Sequence, residues 1–115
     1  MSQRRPPRGS GELARLRADI DELDRRIVRL LNERAELTVG VGHEKSALGR
    51  RAIRDRERER EVLLRVTMAN EGPLPQADLL AIYRRLIGSA RALEAAERER
   101  LARGQVNGPA EPPGA

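Results

Sequence analysis

Lys45 is the only lysine in this chain; the other 22 basic side chains are arginines. The two cations do different chemistry: a guanidinium is a planar fork suited to a carboxylate, whereas an ammonium is a compact donor that meets one oxygen end-on. Arg34 precedes Lys45 by three helical turns, about 16 Å along a helix axis, on nearly the same face. Two long cations so placed could hold the two ends of a small anionic molecule. Arg17 lies about 25 Å further back along the same axis, too far to share that molecule within one chain. If it belongs to the same site, it must come from a second copy of the helix packed antiparallel. Further along, Asp55, Arg58 and Glu59 stand one turn apart, and Glu94 follows Ala90 by one turn. Simpler readings stand beside these. Arg34 could be a buried salt bridge, favoured on its own over a ligand contact. The alternating Arg–Glu run from Arg54 to Glu61 would form ion pairs on any solvated helix. Taken alone, Glu94 reads as solvated, and His43, the single histidine, as a surface residue.

The element that must position the first of these residues is legible from spacing. Leu13, Leu16, Ile20, Leu23, Ile27, Leu30, Arg34, Leu37, Val41, Glu44 and Leu48 recur at alternating steps of three and four. This predicts a heptad seam on a helix of about 36 residues, roughly 54 Å long. Glu44 near its end can point to water, but a charge at Arg34, mid-seam, is costly unless something pairs with it. Gly49 to Ala52 breaks the helix. A second helix is expected from about Arg54 to Asn70, with Val62, Leu63, Val66 and Ala69 inward. Asn70 to Pro75 reads as a turn. A third is expected from about Gln76 to Arg103, with Leu79, Ile82, Tyr83, Leu86, Ile87, Ala90, Leu93 and Leu101 inward. No segment carries a strand pattern. Residues 1–11 and 104–115, rich in Pro and Gly, read as disordered tails around a helical domain spanning 12–103, with Ser10 a plausible N-cap.

Composition narrows the function classes. At 115 residues the chain is sized for one domain, and with one aromatic, Tyr83, its core must be aliphatic. Such thin helices leave apolar surface uncovered in a monomer, so self-association is expected. The net charge of +5 is spread among interleaved acids, and stacking aromatics are missing, which argues against nucleic-acid binding. No apolar run reaches the length of a membrane span, and the basic N-terminus leads into Pro6-Pro7 rather than an apolar signal segment. Without cysteine, disulfides and thiolate metal sites are excluded, and cytoplasm is the default compartment.

In their order along the chain, these residues resemble the all-helical AroQ class of chorismate mutases, over roughly Leu13 to Glu94. The opening pattern is Leu16-Arg17-xx-Ile20-xx-Leu23-Asp24-xx-Ile27-xx-Leu30-Leu31-xx-Arg34, continuing through Val41-Gly42-xx-Lys45 to Ile53-Arg54-Asp55-xx-Arg58-Glu59. The resemblance implies an all-α, intertwined homodimer of one long, one short and one medium helix per chain, acting on chorismate without metal or cofactor. It implies that Arg34, with Arg17 contributed in trans, clamps the two substrate carboxylates. Lys45 and Glu59 would act at the ether oxygen and a substrate hydroxyl, Asp55 and Arg58 would complete the site, and Glu94 falls at the position usually held by Gln or Glu. Two departures stand out. Ala90 replaces a serine common in the family, with Ser89 turned about 100° away. The stretch from Lys45 to Asp55 is one residue longer than usual, so a two-residue slip would nominate Arg56/Glu57 or Arg60/Glu61.

The implied reaction is a unimolecular Claisen rearrangement of chorismate to prephenate. Negative charge builds on the ether oxygen as the C–O bond breaks, and a fixed cation there stabilises it. Glu94 could assist that oxygen only as a protonated donor. An isochorismate pyruvate lyase on the same fold is the nearest alternative, disfavoured by the Asp55/Glu59 pattern. A dimerisation module without activity is the other; it would have no use for inward-facing Lys45 and Glu59.

Overall fold

The computed structural model describes residues 10–49 and 55–107, and every regular element among them is a helix. They are α1 (Ser10–Ala47), α2 (Arg56–Ala69) and α3 (Gln76–Asn107). Helix α1 begins inside the segment expected as a tail, and α3 runs four residues past the expected end at Arg103. Arg50 to Arg54, which include most of the expected break, lie outside the described residues, as do 1–9 and 108–115. The break itself begins at Gly49, whose φ of 73° is accessible to glycine without penalty.

Helix α2 starts two residues later than the spacing suggests because Asp55 is its N-cap: the carboxylate accepts a hydrogen bond from the Arg58 N–H at 2.9 Å. Such a cap is worth about 1 kcal/mol. Glu57 and Glu59 in the first turn complement the positive end of the helix dipole. At the other end, Asn70 organises the turn. Its Nδ2 donates to the Leu74 carbonyl and to Gln76 Oε1, and its Oδ1 accepts from the Gly72 N–H. Gly72 sits at φ 75°, where a side chain would be strained.

The chain divides into two compact units, one ending at Arg34 and the other starting at Ala35. In the first, all six apolar seam residues are exposed, from 47% at Leu13 and Leu23 to 60% at Leu30. In the second, α2 and α3 pack through half-buried Val62, Leu63 and Val66 on one side and Leu79, Leu80, Tyr83, Leu86 and buried Ile87 on the other. Two residues expected inward, Ala69 and Ile82, are exposed instead.

The α1 segment of this second unit shows the larger departure from the expected pattern. Its seam residues Leu37 and Val41 remain exposed, as does Leu48 just past its end. The stripe withdrawn from water is a different one: Ala35, Thr38, Val39, Gly42, Lys45 and Ser46. Helix α1 therefore has two faces here, one used within the chain and an apolar one that is not.

Candidate active site

Gly42 brings two helices close enough for a short polar contact. A Cβ at this position would lie 3.0 Å from Glu94 Cα and 3.1 Å from its carbonyl oxygen, so α1 and α3 cross nearly backbone to backbone. One turn on, Lys45 Nζ donates to Glu94 Oε1 at 2.8 Å, with the two side chains only 17% and 22% exposed. The sole lysine and the glutamate expected beside it are thus partners across the crossing.

The same crossing carries a second polar cluster, which spacing did not disclose. His43, expected at the surface, is half exposed, but its Nδ1 lies 3.3 Å from Oε2 of the buried Glu97. Arg100 grips both Glu97 oxygens, through Nε and Nη2, at 2.9 Å each. The Arg100 bond is the main reason the Glu97 carboxyl is held down at about 2; burial opposes it, and the His43 contact adds to it.

Helix α2 supplies the third side. Of Glu57, Glu59 and Glu61, only Glu59 is withdrawn from solvent. Its Oε2 accepts from Arg91 Nη1 on α3 at 2.7 Å. Arg91 was not among the expected site residues; it flanks Ala90, and nothing in the helical pattern marks it. Asp55 and Arg58, expected to complete the site, sit at the start of α2 in more local roles. Asp55 caps the helix, and the exposed Arg58 donates to Glu61 at 2.7 Å, an i,i+3 pair of the solvated kind. Both also border an open concavity of about 910 Å³ together with Leu63, Leu64, Thr67 and Leu80. Ser89 is exposed and Ala90 half-buried, so the serine does not substitute for its neighbour on the inner face.

Arg17 and Arg34 belong to the first unit. Arg17 is exposed on α1, while Arg34 is half-buried and engaged in a polar interaction.

A family model described as chorismate mutase type II matches residues 16–95. The chain belongs to this family. Among curated proteins, it is similar to the bifunctional chorismate mutase/prephenate dehydratase of Aquifex aeolicus, with 41% identity over 87 residues, covering 72% of this chain and 24% of the relative. The namesake from Neisseria gonorrhoeae is 39% identical over 75 residues, 65% of this chain and 20% of its own. The chain thus spans about a quarter or less of the length of these curated relatives. Among solved structures, a chorismate mutase from Thermus thermophilus (form II) superposes with a TM-score of 0.68 at 31% identity, covering 73% of this chain and 94% of the other. Its form I gives 0.64 at 30% identity, covering 69% and 98%. Membership in the type II chorismate mutases makes Lys45 with Glu94, and Glu59 with Arg91, the candidate catalytic contacts along α3. Among the described residues, no helix is long and apolar enough to cross a membrane.

Proposed function

We propose that this chain converts chorismate to prephenate and does so as a homodimer. The observation that carries this reading is the Lys45–Glu94 contact: the single ammonium of a type II chorismate mutase chain, sheltered and fixed at 2.8 Å rather than free in solvent. In the reaction the ether C–O bond breaks while a C–C bond forms between the enolpyruvyl carbon and the ring. No proton must move, so the protein's work is to fold the substrate and to stabilise charge. Lys45 aims an N–H at the ether oxygen. From α3, Glu94 holds that ammonium through Oε1, and Glu59 accepts from the substrate hydroxyl. Arg34, with Arg17 of a second copy, takes the two carboxylates through bidentate bonds. Arg58 and Asp55, at the start of α2, would complete the site.

The homodimer is supported by the exposure of the large aliphatic seam residues of α1, from Leu13 to Val41. Incubation with chorismate, and separately with isochorismate, followed by NMR identification of products tests the reading. Prephenate from chorismate is expected. Salicylate and pyruvate from isochorismate, or no turnover of either, would overturn it.

A further inference from the structure

Glu59 is only 14% exposed, and a carboxylate so withdrawn needs a fixed partner. Arg91 provides it from another helix, with Nη1 donating to Oε2 at 2.7 Å, while its own side chain stays 43% exposed. Arg91 lies three residues before Glu94, and side chains at that spacing share a helix face. One face of α3 thus offers an anion to the cation of α1 and a cation to the anion of α2. The bond to Oε2 also does something local. Anchoring Oε2 at 2.7 Å to a side chain of another helix restricts the rotation of the Glu59 carboxylate and so limits where its other oxygen can point.

We propose that Arg91 is a positioning residue for Glu59: through Nη1 it sets the orientation in which Glu59 accepts a hydrogen bond from the substrate hydroxyl. The inference rests on the chorismate mutase reading above and deepens it. Arg91 does not touch substrate. It acts by holding the acceptor still, so its loss costs chemistry more than binding. An acceptor misplaced by about 1 Å lowers turnover by as much as 100-fold, with little reason for ground-state affinity to change.

The test is steady-state kinetics of the full chain with chorismate, beginning with the wild type. Wild-type protein without activity would overturn the functional reading, and this inference with it. With an active wild type, Arg91→Met is expected to lower kcat roughly 10- to 100-fold and to leave KM within about twofold. Arg91→Lys, which keeps a cation but not the planar fork, should fall between. Lys and Met variants that both match wild-type kcat would overturn the inference. So would a rise in KM alone, which would place Arg91 on the substrate instead. The deciding comparison is made in the background of Glu59→Ala, which leaves Arg91 no side-chain acceptor at that position. If Arg91 acts through Glu59, Arg91→Met and Arg91→Lys add little further loss there; losses that multiply would overturn the inference. Should Arg91→Met fail to fold, Arg91→Lys carries the same comparison.

Discussion

Lysine's four-carbon stem is flexible, and the 2.8 Å bond to Glu94 removes much of that freedom before any substrate arrives. On the proposed function, restricting the ammonium beforehand would make it effective toward a charge that appears only in the transition state. One N–H is engaged by Glu94, and the ammonium has others to offer. Lys45→Ala should therefore lower kcat by roughly 10²-fold or more, with a smaller effect on KM. Lys45→Arg should not restore it, because a planar fork does not meet one ether oxygen end-on. An Arg variant with near wild-type kcat would refute the end-on role. Glu94 enters as the acceptor that holds the ammonium from α3. Glu94→Ala, which removes that tether, should therefore lower kcat, and Glu94→Gln, which keeps an acceptor oxygen of similar reach, should lower it less. Equal kcat for wild type and Glu94→Ala would remove Glu94 from any part in holding Lys45.

At the scale of elements, the crossing of α1 and α3 governs whether those side chains meet. Gly42→Ala would drive a Cβ to 3.0 Å from Glu94 Cα, and a backbone atom cannot step aside as a side-chain tip can. We expect a loss of about 1–3 kcal/mol in denaturant unfolding, with reduced kcat because Glu94 is the residue displaced. Gly40→Ala, two residues earlier, meets nothing within 4 Å among the described residues beyond its own helix backbone and should be tolerated. The Glu97 cluster braces the same crossing and ties it to pH. Its carboxyl is held at about 2, below its ordinary 4.5, mainly by Arg100. A depressed carboxylate stabilises the fold fully above its unfolded value, and that stabilisation is lost as pH falls toward the folded one. Wild type should therefore melt above Glu97→Gln at pH 7, with the gap closing between about pH 4.5 and 2. A gap independent of pH would assign the difference to packing. These features also mark the limit of what the sequence discloses. The three-four spacing of α1 and a second helix beginning near Arg54 were readable from local periodicity, and the withdrawn Glu59 from the apolar stripe it leads into; the cap at Asp55 that delays the start of α2 was not read. The pairs His43–Glu97 and Glu59–Arg91 were not, because each depends on how two distant helices cross. The stripe from Ala35 to Ser46 was hidden for another reason: it is built from small and polar residues, so a search for large apolar side chains finds the seam beside it.

That seam bears on the whole molecule. Leu13, Leu16, Ile20, Leu23, Ile27 and Leu30 are each about half exposed, and Leu37 and Leu48 are more than 70% exposed. A row of large aliphatic side chains at heptad spacing along a 38-residue helix is an uncovered surface that a second copy of itself would cover. Antiparallel pairing would also bring Arg17 of one copy toward Arg34 of the other, two residues that lie about 25 Å apart along a single helix. Analytical ultracentrifugation at micromolar concentration should show a dimer, and Leu23→Asp should weaken it by placing a charge in the seam. A monomeric wild type would overturn the arrangement. The sharper test uses two variants that are each inactive, Arg17→Ala and Lys45→Ala. If every site combines Lys45 of one chain with Arg17 of the other, a mixed dimer holds one site with both losses and one with neither. Random subunit exchange at equal concentrations would make about half the dimers mixed, so recovery should approach a quarter of wild-type activity. Exchange must be verified independently, for instance by mass spectrometry of differently tagged chains. Verified exchange with no recovery would place Arg17 and Lys45 in the same site of the same chain, or outside a common site altogether, and the shared-site dimer would have to be abandoned.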